Sequence, residues 1–98
     1  MDKVIVLNDQ DNVATCLANL KPKDTVEVAV AGKRQSVTIS DDVPFGHKIA
    51  VKEIANGEKI LKYGEVIGVA SIPISTGQHV HVHNVESVRG RGDKGGSE

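Results

Sequence analysis

Three of the chain's four histidines alternate with other residues in one short segment, at His79, His81 and His83. Side chains two positions apart on a β-strand point to the same face, so a strand here would align the three imidazoles, with Val80 and Val82 packed behind them. Alternate strand residues are roughly 6–7 Å apart, close enough for two imidazoles to share one ion or polar ligand. Imidazole is the commonest transition-metal ligand and titrates near neutrality. The pattern predicts ligand, metal or proton-transfer chemistry, and the alternative is the exposed polar face of an amphipathic strand.

A second group of candidate residues is Gly46, His47 and Lys48. Glycine lets the backbone approach a ligand closely, and the other two residues follow at the predicted start of a strand. Adjacent strand residues point to opposite faces, so His47 and Lys48 are not expected to act as one unit unless the turn twists them. His47 is a candidate site residue, and the alternative is a buried, backbone-bonded histidine. For Lys48 the alternative is a solvated charge.

A third group is Lys62, Tyr63 and Gly64. Lys62 is a candidate for binding a carboxylate, Tyr63 for donating a hydrogen bond, and Gly64 for a turn that requires a positive φ. Tyr63 is more often a packing residue with a satisfied hydroxyl. The sequence contains no phosphate loop, dinucleotide fingerprint or nucleophile elbow.

The length and composition limit the function classes. A chain of 98 residues with a net charge of -1 forms one domain, with room for a small core and a shallow or shared site. The charge gives no basis for capturing nucleic acid or anionic lipid, and the two aromatic residues provide no stacking platform for bases. A single cysteine, Cys16, excludes an internal disulfide and fits a reducing compartment. We expect a buried, unreactive thiol in a soluble cytoplasmic protein that binds neither nucleic acid nor membrane.

The pattern of residues predicts a mainly β domain with short helices, of barrel-like or folded-ribbon form. A helix is expected from Asp11 or Asn12 to Leu20 and a helical turn over 52–55. Strands are expected over 3–7, 25–30, 35–39, 47–51, 58–63 and 66–70 and in the histidine segment.

Two further features concern the organisation of the chain. Val43-Pro44 followed by Gly46-His47 echoes Ile72-Pro73 followed by Gly77 and His79, which indicates either a repeat or chance similarity. The glycine-rich residues 89–98 are predicted to be a flexible tail beyond a domain spanning residues 1–88.

Several motifs in fixed order resemble the N-terminal module of the altronate and galactarate dehydratase family and the small subunit of sulfolactate sulfo-lyase. The motifs are Pro44-Phe45-Gly46-His47-Lys48-Ile49-Ala50, Gly57-Glu58, Lys62-Tyr63-Gly64, Ile67-Gly68, Gly77 and His79-Val80-His81-Val82-His83-Asn84. The resemblance runs from about Asn12 to Val85. It implies a SAF domain with a β-clip fold, a small single domain.

The resemblance also implies a function. Members of this family are lyases that eliminate water or sulfite from a hydroxy acid and depend on a divalent metal, here expected to be Fe²⁺ with Mn²⁺ as the alternative. The chain is then expected to be the small subunit of a two-component hydro-lyase that converts a sugar acid of the altronate or galactarate type to a 2-keto-3-deoxy acid. Its partners would be a large dehydratase subunit and the hydroxy-acid substrate. The alternatives are the alpha subunit of a sulfolactate sulfo-lyase and a ligand-binding or stabilising module without chemistry.

The same resemblance implies roles for individual residues. The catalytic candidates are His47 and His83, and the metal ligands are His81, His83 and, ranked below them, His79. The substrate-binding candidates are Lys48, Lys62 and Asn84.

Overall fold

Nine short β-strands form the protein in the computed structural model, which describes residues 3–87. They are β1 (Val4–Ile5), β2 (Val13–Cys16), β3 (Thr25–Val30), β4 (Lys33–Thr38), β5 (Lys48–Ala50), β6 (Lys59–Lys62), β7 (Glu65–Ala70), β8 (His79–Val80) and β9 (Val85–Glu86). All pairings are antiparallel, in a four-stranded sheet β1-β2-β5-β8, a hairpin β3-β4 and a three-stranded sheet β6-β7-β9. The mainly β prediction is therefore confirmed. The predicted tail at 89–98 lies outside the described residues.

The predicted helices are wrong, since residues 3–87 contain no α-helix. The segment expected to be helical up to Leu20 instead contains strand β2, which lies between β1 and β5. Both faces of β2 are covered, since Val13, Ala14 and Cys16 are all buried. A strand buried on both faces lacks the alternation that identifies a strand in sequence. The predicted helical turn at 52–55 is replaced by an isolated bridge between Ile54 and Ile74.

Four turns, at 21–24, 44–47, 55–58 and 75–78, share one backbone conformation. The third residue of each has a positive φ of 80° to 93°, and the fourth donates its N–H to the carbonyl of the first at 2.9–3.0 Å, the signature of a type II turn. A buried apolar residue precedes each turn, and these residues pair as Leu20 with Val43 and Ile54 with Ile74. The echo noted in the sequence is thus part of a real repeat, but its register differs, because Val43 corresponds to Ile74 and His47 to Gln78.

The turns and strands enclose two hydrophobic clusters. The first is Val4, Ala14, Cys16, Leu20, Val26, Val28, Val37, Ile39, Val43, Ile49 and Val51. The second is Val13, Ala50, Ile54, Ile60, Ala70, Ile74 and Val80. Strands β2 and β5 contribute to both, which fixes the position of β5 and of the residues at its start.

One prediction about a single residue can be assessed directly. Cys16 is buried as expected, and burial raises the pKa of its thiol to about 11, so the thiolate needed for reactivity is scarce at neutral pH. Within residues 3–87, no helix is long and apolar enough to span a bilayer.

Candidate functional site

The histidine segment is a short strand followed by a tight turn. Strand β8 ends at Val80, and residues 81–84 form the turn. The predicted continuous strand is therefore wrong, and Val82, expected to pack behind the imidazoles, is 81% exposed. The turn closes through a hydrogen bond from the Asn84 N–H to the His81 carbonyl at 3.1 Å.

Three imidazoles converge where β5 meets β8. The antiparallel register pairs Ile49 with His79 and Lys48 with Val80, and extending it by one residue sets His47 opposite His81. The Nδ1 atom of His47 lies 2.9 Å from Nε2 of His79. The rings of His47 and His81 stack at 4.2 Å between centroids with a 20° tilt. One ring nitrogen from each of His47, His79 and His81 lies within 4.8 Å of the other two, and we call these three residues the histidine trio.

The fourth histidine lies beside the trio. The ring of His83 is exposed, 5.3 Å from that of His79 between centroids, and tilted by 40°. Sequence reasoning grouped His83 with His79 and His81 and treated His47 separately. The structure brings His47 into the set whose nitrogens converge and leaves His83 at its edge. The separate metal and catalytic roles assigned to these residues stay predictions.

Burial and mutual repulsion favour the neutral forms of two members of the trio, His79 and His81. Partial burial lowers the pKa of His79, and the neighbouring imidazoles of His47, His83 and His81 lower it further, against an opposing effect of Asp41. Partial burial also lowers the pKa of His81, with His47 and Lys48 adding repulsion. Both rings therefore carry no charge at neutral pH, and each offers a lone pair to a ligand.

Two side chains hold the backbone that carries His79 and His81. Asn84 is buried, its Nδ2 donates to the His79 carbonyl at 2.9 Å, and its Oδ1 accepts from the His81 N–H at 3.0 Å. Asp41 Oδ2 accepts from the His79 N–H at 3.0 Å. Sequence reasoning placed Asn84 at the substrate and did not single out Asp41, which has no motif around it. Both the oxygen and the nitrogen of the Asn84 amide therefore form hydrogen bonds with backbone groups.

Lys48, the first residue of β5, lies close enough to Lys62 for the two charges to interact. Lys48 lines a groove of about 330 Å³ whose other walls include Val80, His81 and Val82, so His81 faces both the groove and the trio. Burial lowers the pKa of Lys48, and the charge of Lys62 lowers it further. The Lys62 ammonium lies 4.5 Å from the centroid of the Tyr63 ring, a cation–π contact. The two lysines predicted to bind a carboxylate thus lie within electrostatic range of each other.

The geometry of the trio fits a transition-metal ion. Metal–nitrogen distances of about 2.0–2.1 Å place neighbouring ligand nitrogens roughly 3.0–3.4 Å apart. The His47–His79 pair, at 2.9 Å, is close to that spacing, and the His81 nitrogen lies within 4.8 Å of both. Imidazole nitrogens favour zinc, copper, iron or nickel over magnesium. In the absence of an ion, the same nitrogens are placed to exchange a proton.

Comparison with known proteins finds a matching family and several similar proteins from lyases. Residues 2–88 match the model of the altronate/galactarate dehydratase SAF domain. The chain is 43% identical over 83 residues to an altronate dehydratase of Escherichia coli, covering 85% of this chain and 16% of that protein. It is 37% identical over 87 residues to an altronate dehydratase of Bacillus subtilis, covering 89% of this chain and 17% of the relative. It is also 43% identical over 51 residues to a (2R)-sulfolactate sulfo-lyase subunit alpha of Chromohalobacter salexigens, covering 52% of this chain and 54% of that subunit. The chain thus spans about one sixth of the altronate dehydratases it matches.

Proposed function

The chain belongs to the family of altronate/galactarate dehydratase SAF domains, and on that premise we propose that it supplies one wall of the active site of a lyase acting on a hydroxy acid. The substrate is a sugar acid of the altronate or galactarate type, and the product is a 2-keto-3-deoxy acid. A larger lyase domain or subunit supplies the rest of the site, because the match covers only about one sixth of the dehydratases.

The observation that carries this proposal is the convergence of ring nitrogens from His47, His79 and His81. We assign these three residues to an Fe²⁺ ion, with Mn²⁺ as the alternative. When bound, such an ion supplies a Lewis acid for the carboxylate and α-hydroxyl of the substrate. The contribution of this chain is to hold the three imidazoles close together and, by lowering the pKa values of His79 and His81, to leave the lone pairs of those two rings available.

The remaining residues of the site have distinct tasks in this proposal. The elimination breaks the Cα–H bond and the Cβ–O bond, so one group takes the α-proton and another donates a proton to the departing hydroxyl. His83 lies outside the trio, exposed beside His79, and we assign it to proton transfer. Lys48 and Lys62 bind the carboxylate. Asn84 is a positioning residue, because its amide holds the backbone of His79 and His81.

Sulfite elimination is the second candidate reaction. The chain matches 54% and 79% of two proteins named (2R)-sulfolactate sulfo-lyase subunit alpha, which supports sulfite elimination as the alternative. The residue roles stay the same, with a Cβ–S bond broken in place of the Cβ–O bond. A sulfonate group on the β-carbon, in place of a hydroxyl, would distinguish this substrate from a sugar acid.

Reconstitution tests the proposed function. The chain is mixed with a protein corresponding to the rest of an altronate dehydratase, with Fe²⁺ and with altronate, galactarate or sulfolactate in turn, and 2-keto acid or sulfite is measured. We expect no turnover by the chain alone and turnover by the complex. His83→Ala should lower turnover of the complex on the order of 100-fold, the scale of a lost acid or base, while the melting temperature stays close to that of the wild type. A stable complex that is fully active with His83→Ala would remove His83 from the site. Full activity of the partner without this chain would instead make the chain a non-catalytic module.

A further inference from the structure

Three of the four type II turns are closed by a side chain as well as by the backbone. In each, the fourth residue folds its side-chain oxygen back onto the N–H of the first residue. The pairs are Asp24 Oδ2 with the Lys21 N–H at 2.9 Å, Glu58 Oε1 with the Ala55 N–H at 2.8 Å, and Gln78 Oε1 with the Ser75 N–H. The fourth position of this turn is therefore a capping position.

The turn at 44–47 differs from the other three in both the residue that would supply the side-chain acceptor and the residue that would supply the N–H donor. The capping position holds His47, and the first position holds Pro44, which has no backbone N–H. The backbone of the turn is unchanged, since the His47 N–H donates to the Pro44 carbonyl at 3.0 Å and Gly46 has a φ of 85°. The turn thus keeps its shape without a donor for the side chain at position 47.

The missing donor is one that His47 would otherwise reach. Its Nδ1 atom is bonded to Cγ, as is the Oδ2 atom of Asp24 that caps the corresponding turn. An N–H at position 44 would therefore compete for Nδ1. In the structure this nitrogen instead lies 2.9 Å from Nε2 of His79, and the ring stacks on His81.

We propose that Pro44 is a positioning residue for His47: by removing the N–H that the repeated turn otherwise caps, it directs Nδ1 of His47 to His79 and into the histidine trio. The part of this inference that concerns metal affinity rests on the proposed function. The part that concerns the direction of the imidazole does not.

The variant Pro44→Ala restores the N–H and tests the inference. Pro44 is exposed, so little packing is lost. In the metal-free chain at pH 7.5, we expect the restored backbone N–H at position 44 to donate to His47 Nδ1, visible by NMR as a coupling between the two nitrogens across the hydrogen bond. The affinity for Co²⁺, used as a spectroscopic probe, should fall about fivefold, the scale of one competing hydrogen bond. Pro22→Ala is a control for the replacement itself: Pro22 occupies the second position of the turn at 21–24, so the variant restores no N–H at a first position and should change neither the His47 signals nor Co²⁺ binding.

A second variant tests, at a turn without an imidazole, whether the turn keeps its shape when the first residue has no N–H to cap. Ser75→Pro removes the N–H capped by Gln78, and we expect the turn at 75–78 to persist while the Gln78 side-chain amide loses its hydrogen bond. Loss of that turn would show that the cap is indispensable and would overturn the inference.

The other outcomes separate this inference from the proposed function. A Pro44→Ala chain whose His47 Nδ1 still contacts His79, or an equal loss of affinity in Pro22→Ala, would overturn it. If the wild-type chain binds no Co²⁺, the metal assignment fails, while the NMR measurement on the metal-free chain still decides the role of Pro44.

Discussion

Replacing Asn84 by alanine should weaken metal binding as well as the fold. The side chain is 3% exposed and forms two hydrogen bonds to backbone groups, one with His79 and one with His81. A polar group left without its partner costs about 1–3 kcal/mol, so the loss of two partners should lower the free energy of unfolding by about 2–6 kcal/mol. Domains of this kind are stable by about 5–15 kcal/mol, so metal binding is measured at a temperature where circular dichroism shows the variant folded. Loosening the two ligands should lower the Co²⁺ affinity about tenfold, as expected for a residue that orients metal ligands.

The chain contains a matched control for this variant. Asn12 is 4% exposed, its Nδ2 donates to the Lys59 carbonyl at 2.9 Å, and its Oδ1 accepts from the Leu61 N–H at 2.8 Å. Asn12→Ala should therefore lose a similar free energy of unfolding, measured by urea denaturation, but keep the wild-type Co²⁺ affinity measured by calorimetry. Equal losses of affinity in the two variants, or wild-type affinity in Asn84→Ala, would refute the reasoning.

Three further results are expected. Because the pKa values of His79 and His81 lie below 6.5 in the folded chain, the unfolded chain takes up protons first as the pH falls below about 6.5. The melting temperature should therefore drop between that pH and the lower folded pKa values, and then level off. A melting temperature that does not change with pH over this range would contradict the lowered pKa values. Lys48→Met should raise KM for the acid substrate on the order of 10-fold in the reconstituted complex with kcat little changed, whereas the same replacement at the exposed Lys52 should not. Gly77→Ala should cost about 3 kcal/mol in urea denaturation, because its Cβ would lie 2.1 Å from the Thr38 carbonyl oxygen at a φ of 93°; Gly46→Ala, where a Cβ meets no atom within 4 Å, should cost about 1 kcal/mol.

Local patterns predicted the first strand of the β3-β4 hairpin well. Strand β3 occupies Thr25–Val30 as expected, because Val26 and Val28 alternate with exposed neighbours and the turn at Ala31-Gly32 follows directly. Both of those turn residues have positive φ, the conformation that a two-residue hairpin turn requires. Strand β2 was missed because burial on both faces removes the alternation on which such a prediction depends.

The composition of the site could be predicted, but its geometry could not. Alternating histidines signalled chemistry, yet the segment leaves the strand after Val80 because the Asn84 side chain bonds back to His79 and His81. His47 belongs to the histidine trio because β5 pairs with β8, and the paired residues of these strands are 30 or more positions apart in the sequence. Such a register is set by packing of the whole domain.

Co²⁺ titration of the wild type, His47→Ala and His83→Ala shows whether the histidine trio is the metal site. We expect one ion per chain, with nitrogen ligation from three imidazoles seen by X-ray absorption. His47→Ala should lose on the order of 100-fold in affinity, consistent with the loss of one of three ligands in a site of this kind, and His83→Ala should bind as the wild type does. Unchanged binding by His47→Ala, or an equal loss in His83→Ala, would contradict the assignment of the ion to His47, His79 and His81.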